Sequence, residues 1–220
     1  LKKDSIIRGG VALILSNVNS FKLTHKTIVD IGANDGTDSV RLASAFPNSM
    51  VYSFEPVEKL KGKRLPNIRF HNLALGDYDG VSTFYSNENS KVNSLFYSKY
   101  FKSKEIQVPI SRMDTFAKNH NIGIIDIVWI DAQQGELKVL KGFGSLLKDV
   151  SIIYTEVCYK PYYENGVLYR KLRDYIEKRG FIMVYNRPLI NSPHGSAIFI
   201  NKKMLSWSSF YKRQKVNINE

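Results

Sequence analysis

Cysteine is almost missing from this chain: Cys158 is the single one in 220 residues. That excludes an internal disulfide and a zinc site built from several thiolates, and it fits a reducing, cytoplasmic compartment. Histidine is scarce and scattered, at positions 25, 71, 120 and 194, with no metal-ligand spacing, so no metal is expected. Long apolar runs are missing as well. The longest near the start, GGVALIL, is too short to span a membrane, and no small-residue cleavage site of the secretory kind follows it. Acids are in short supply, 20 against 32 Lys and Arg, which leaves a net charge of +12. Such an excess favours acidic partners such as nucleic acid, anionic headgroups or phosphorylated glycans, or serves solubility alone. The basic residues gather at KLKGKR (59–64) and YKRQK (211–215).

What is present is the material of one globular domain. Hydrophobic residues make up 43% of the chain, and no repeat, low-complexity tract or Pro/Gly/Ser linker interrupts residues 1–220. The opening DSIIRGGVALILSNV has the pattern of an amphipathic helix within residues 1–20. Strands and helices then alternate. Strands are expected at 27–32, 50–55, 68–72, 125–131, 150–157, 181–186 and 196–201. Helices are expected at 36–46, 57–61, 112–120, 135–141 and 166–179. IDIVWI and VSIIYTEV are apolar all round, as central parallel strands covered on both faces should be. The segments VSTFYS (81–86) and KEIQVPI (104–110) read as strands of a small insertion spanning 81–111, with an acceptor-side loop between them. The last strand, preceded by a Pro-His-Gly turn, has the setting of an antiparallel one.

The stretch TIVDIGANDGTDSV (27–40) runs from a buried strand through a glycine turn into a helix. Gly32 and Gly36 permit a sharp turn and a close approach of backbone to ligand. The helix that follows directs free N–H groups and its positive dipole end there, so the turn suits an anionic group. The spacing is Gly-x-x-x-Gly, with Asn34 where a dinucleotide fingerprint needs its middle glycine, which argues against a nicotinamide cofactor. About twenty residues on, a strand ends in Glu55 followed by Pro56, placed to accept hydrogen bonds from ribose hydroxyls. The two features together point to an adenosine-type cofactor carrying a carboxylate or phosphate.

DIGANDG, SFEP, NLALGDYDG, RMDTF and IDIVWIDAQQGELKVLKGF occur in that order, and over residues 27–157 the chain resembles the FkbM family of S-adenosylmethionine-dependent O-methyltransferases. The resemblance implies an α/β, Rossmann-like class I methyltransferase: a seven-stranded, mostly parallel sheet with its last strand antiparallel and helices on both faces. It implies that Asp30, Gly32, Ala33, Asn34, Asp35 and Gly36 hold the methionine end of the cofactor, and Glu55 with Pro56 the ribose. Asn72, Leu73 and Ala74 would border the adenine, and Asp131 with Ala132 would face the cofactor cleft. After Asp131 the family often has an acid or Gln two places on and then Gly. Here Gln133 and Gln134 come first and Gly135 is displaced by one, while Glu136, Val139, Leu140 and Gly142 stay in register.

A sugar hydroxyl is a poor nucleophile until its proton leaves, so a general base is sought. Asp131 and Glu156 end adjacent strands on the same side of the sheet, where two carboxylates can crowd each other and raise one pKa. Asp131 is the expected base or acceptor-positioning group, Glu156 its partner, and His194 in NSPHGSA a third candidate. NSKVNSLFYSKY (89–100) and the tyrosine-rich CYKPYYENG (158–166) are candidates for the acceptor side. The expected function is methyl transfer from S-adenosylmethionine, leaving S-adenosylhomocysteine, to a hydroxyl of a sugar, glycan or related small molecule. Two alternatives stand beside it: a ribose 2′-O-methyltransferase of nucleic acid, and a non-catalytic cofactor- or polyanion-binding module.

Overall fold

The computed structural model describes residues 27–57, 65–88, 90–190 and 192–204. The helix expected within residues 1–20, residues 58–61 of the helix expected over 57–61, and the basic runs 59–64 and 211–215 lie outside them. Ten strands are described: β1 (Thr27–Ile31), β2 (Met50–Phe54), β3 (Ile68–His71), β4 (Ala74–Leu75), β5 (Gly80–Ser86), β6 (Lys104–Ser111), β7 (Ile127–Ile130), β8 (Ile152–Cys158), β9 (Phe181–Pro188) and β10 (His194–Asn201). The α-helices among these residues are α1 (Thr37–Ala45), α2 (Met113–Asn119), α3 (Glu136–Gly142) and α4 (Tyr169–Glu177), and three short 3-10 turns lie at Ser90–Val92, Gly144–Asp149 and Lys202–Met204.

Seven strands form one sheet in the order β3-β2-β1-β7-β8-β10-β9. The strands from β3 to β8 are mutually parallel, and β10 runs antiparallel to both its neighbours. This is the expected class I arrangement with its last strand reversed. Every residue of β7 is buried because both faces of the sheet are covered. Val29, Ile31, Val128 and Ile130 face a core shared with α2, α3 and α4. Ile28, Ile127 and Trp129 face the opposite core, closed by Leu42 and Ala43 of α1. Trp129 and Tyr154 stack there at 3.5 Å between ring centroids.

The insertion after β3 is a separate three-stranded sheet, β4-β6-β5, with Phe84, Val108 and Ile110 in its own small core. The two-residue β4 carries too little pattern to be read from sequence. Helix α4 starts later than the expected residue 166, because Leu168 is extended and the Val167 N–H donates to the Gln134 carbonyl. Among the described residues no helix is long and apolar enough to cross a membrane.

Candidate active site

Parallel strands β1 and β7 are neighbours whose following helices, α1 and α3, cover opposite faces of the sheet, and the space beyond their carboxyl ends is the switch point of the fold. A cleft opens there. Its walls are the β1–α1 turn, the end of β2, Leu73 and Ala74, residues 91 and 93–95 of the insertion, and residues 131–133 after β7.

The first wall is built by glycine. Gly32 adopts φ 78°, and a Cβ on it would stand 2.0 Å from the Asp131 carbonyl oxygen. The N–H groups of Gly32 and Ala33 both donate to the Phe54 carbonyl at 3.0 Å, which ties the turn to β2. Glu55 then joins the same turn: its Oε2 accepts from the Asn34 N–H at 3.0 Å and its Oε1 from the Val57 N–H at 3.2 Å. A carboxylate is an acceptor-only group with about four lone-pair sites, so one oriented in this way at the tip of β2 has the chemistry a ribose diol needs. Asn34, also at positive φ, Ala33 and Asp35 line the cleft, and Gly36 caps α1 in the left-handed region.

Three of the residues assigned to the cofactor do not line this cleft. Asp30 is buried beneath it, accepting from Ser39 Oγ at 2.5 Å, and Ser39 in turn meets Ser53 Oγ at 2.6 Å. Burial, reinforced by the nearby Asp38 charge, pushes the Asp30 carboxyl up to about 8 against the Ser39 hydrogen bond. Gly36 sits behind the turn. Asn72 is exposed, its amide 3.5 Å from the Glu55 carbonyl, while Leu73, Ala74, Pro56 and Ala132 do line the cleft.

The opposite wall is built around two glutamines. Ile130 pairs with Thr155, so Asp131 and Glu156 stand side by side at the strand ends. Both carboxylates accept from one amide nitrogen, Gln133 Nε2, at 2.7 and 2.8 Å. Crowding between bare carboxylates was expected from the sequence; an amide bridge is found. His194, expected in a turn, is instead the first residue of β10 opposite Cys158, with Nδ1 3.6 Å from Glu156 Oε2. Glu136 lies below, accepting from the N–H groups of Ala132 and Gln134, and burial pushes its carboxyl up to about 8. Among the described residues no group of three or more His, Cys, Asp or Glu side chains is placed to hold a metal ion.

An aromatic rim borders the pair. Tyr162 lies 5.8 Å from the His194 ring and 5.4 Å from Tyr100, and stacks on Phe101. Ser98 Oγ donates to the Tyr162 carbonyl at 2.6 Å, joining the insertion to the segment after β8. Gln133 and Gln134 are not among the site residues expected from the sequence, and Ser94 and Tyr163 were reached only as members of the acceptor-side segments 89–100 and 158–166. The displaced glycine at 135 was the signal that something replaces it.

The methyltransferase FkbM domain matches residues 30–183. The chain belongs to the FkbM methyltransferase family. It is 24% identical over 198 residues to the 2-O-methyltransferase NoeI of Sinorhizobium fredii, covering 80% of each chain. It is 22% identical over 189 residues to Methyltransferase 1 of Beauveria bassiana, covering 73% of this chain and 74% of that one. Among solved structures it resembles the magnesium protoporphyrin IX methyltransferase ChlM of Synechocystis with bound S-adenosylmethionine. The TM-score is 0.52 at 13% identity, over 89% of this chain and 77% of that one. The METTL16 methyltransferase domain gives 0.53 at 9% identity, over 92% and 70%. At these identities the solved structures speak for the fold. The FkbM protein is therefore an S-adenosylmethionine-dependent methyltransferase, and Glu55 with the 32–35 turn fits that cofactor's polar ends.

Proposed function

We propose that this FkbM protein transfers a methyl group to a hydroxyl of a sugar, glycan or related small molecule. In this reading residues 1–220 form one methyltransferase domain, and 81–111 supply the inserted strands and the acceptor-side loop. Bound S-adenosylmethionine supplies the electrophilic methyl group. Gly32 to Asp35, Glu55 and Pro56, Leu73 and Ala74, and Asp131 with Ala132 form the cofactor side, with Gly36 shaping the turn behind it and Asn72 holding the Glu55 carbonyl at its edge. Asp30 acts from below, through Ser39 and α1. Asp131 accepts the hydroxyl proton or positions the acceptor, Glu156 supports it, and His194 stands on the far side of Glu156 as a second proton acceptor.

One observation carries the reading: Asp131 at the cleft wall, joined through Gln133 to Glu156, lies beside a rim of tyrosines. Tyr100 is 58% exposed, with Lys99 Nζ 5.4 Å from its ring centroid, so the rim offers an aromatic ring beside a cation to a ligand. Aromatic faces bury the C–H face of a pyranose while hydroxyls reach polar neighbours. The NoeI relative, named a 2-O-methyltransferase, supports transfer to oxygen.

Ribose 2′-O methylation of nucleic acid is the second reading, favoured by the net charge of +12 and by Arg41 and Lys91 in the cleft wall. Steep salt dependence of polyanion binding distinguishes it. The experiment is calorimetric titration with S-adenosylmethionine, S-adenosylhomocysteine and NADH, wild type beside Glu55→Ala, followed by radiolabelled methyl transfer to a carbohydrate panel. Both sulfur nucleotides are expected to bind and NADH is not. Glu55→Ala should weaken binding at least about tenfold, since hydrogen bonds to a charged group are worth ~1.5–3 kcal/mol. A folded protein that binds neither sulfur nucleotide sinks the proposal, and one that binds them without turnover on any acceptor is the non-catalytic module.

A further inference from the structure

Two consecutive residues without the freedom of glycine, Gln133 and Gln134, sit at φ 49° and 67° in the turn after β7. Gly135, which could take such a conformation at no cost, has φ −87°. Each left-handed L-residue costs about 1–2 kcal/mol, and such strain persists only where the surroundings over-determine it. Here they do. The Gln134 side chain is buried: Oε1 accepts from the N–H groups of Tyr162 and Tyr163 at 3.2 and 3.0 Å, and Nε2 donates to the Lys160 carbonyl at 2.9 Å. Its backbone N–H donates to Glu136, and its carbonyl accepts from Val167. Ser94 Oγ holds the Gln133 carbonyl at 3.0 Å from the insertion side.

The outcome is a defined direction for the Gln133 amide. Its two N–H groups face Asp131 and Glu156, and its Oε1 faces the Tyr163 hydroxyl at 3.2 Å. The reversed amide would set a carbonyl oxygen against two carboxylates, so the hydrogen-bond inventory fixes the orientation. We propose that Gln133 is a positioning residue that holds Asp131 and Glu156 as one oriented carboxylate pair, with Gln134 locking the backbone beneath it. The inference rests on the reading of Asp131 as the group that handles the acceptor proton.

One N–H to each carboxylate favours the ionised form of both, so neither needs to keep the other's proton. A Glu at 133 could offer a single hydrogen to the two. Around the pair stand Asp30, Glu136, Tyr154, Cys158, Tyr163 and His194, of which the histidine can add a positive charge.

The test is carboxyl-carbon NMR titration of protein labelled at Asp and Glu side chains, with Asp131→Asn and Glu156→Gln to assign the two signals. In Gln133→Met, of similar shape and without donors, one of the two midpoints should rise by about one pH unit or more. In Gln133→Glu a new carboxyl should stay protonated well above the ordinary carboxylate range. Unchanged midpoints in a folded Gln133→Met variant overturn the proposal. If that variant does not fold, Gln133→Glu decides: an ordinary midpoint for the new carboxyl overturns it equally. S-adenosylhomocysteine titration of the wild type runs alongside. Its failure removes the methyltransferase reading, and the carboxyl titrations still decide whether the amide orders the pair.

Discussion

The turns after β1 and β7 do the same job in two ways. Both lead from a buried parallel strand into a helix at the switch point, and they touch where Gly32 meets the Asp131 carbonyl. The first uses glycine at two of its three left-handed positions, 32 and 36, with Asn at 34. Its shape follows from local freedom, and the ligand side of its backbone is left bare. The second places glutamine at both left-handed positions and holds them with side-chain hydrogen bonds to segment 160–163 and to the Asp131 and Glu156 carboxylates. It gains side-chain chemistry at the cleft wall and becomes dependent on its neighbours. Glycine makes a surface a cofactor can approach; the glutamines make a surface that orients other side chains.

The strongest way to break the first solution is Gly32→Ala. A Cβ there meets backbone at 2.0 Å and φ 78°, and backbone on the β7 side has no rotamer with which to yield. We expect destabilisation of at least about 3 kcal/mol and loss of S-adenosylhomocysteine binding, from overpacking and left-handed strain together. Denaturant unfolding and calorimetry read both. A variant with wild-type stability and affinity would mean that the two turns separate freely, against the tight contact described here.

The sharper test moves the glycine solution into the second turn. Gln134→Gly relieves about 1 kcal/mol of backbone strain. It also removes the partners of the Tyr162 and Tyr163 N–H groups and the Lys160 carbonyl, and an unpaired buried polar group costs ~1–3 kcal/mol. The loss of three partners outweighs the relief, so a net destabilisation of at least about 2 kcal/mol is expected. It should come with faster amide exchange in 160–167, followed by hydrogen-exchange mass spectrometry. A variant as stable as the wild type would show that the side-chain clamp contributes little.

The same contrast explains what the sequence disclosed. Gly32, Gly36 and Glu55 were legible because each acts through its own residue type and a short spacing, and strand–helix alternation with all-apolar IVWI marked the central sheet. The amide-bridged pair of Asp131 and Glu156 was half legible. Their strand-end positions followed from pattern, but the amide between them depends on where a left-handed backbone aims Gln133. The joining of Ser98 to the Tyr162 carbonyl, across 64 positions of sequence, and of Gln134 to the same segment are long-range contacts that no local period encodes. His194 was misplaced into the turn because β9 and β10 pair further towards their hairpin than their apolar runs extend.

Asn34 is where the first turn departs from its own rule, and it gives the smallest expected effect. Its φ is 51°, a conformation asparagine tolerates better than other residues with a side chain, and its N–H rather than its side chain makes the bond to Glu55. Asn34→Gly keeps that N–H, relieves a small strain and adds freedom to the unfolded chain, and these contributions oppose each other. Stability should therefore change by less than about 1 kcal/mol in denaturant unfolding. A loss above about 2 kcal/mol would show that the Asn34 side chain holds its turn as Gln134 holds the other. The distinction between a turn shaped by backbone freedom and one shaped by side-chain clamps would then collapse.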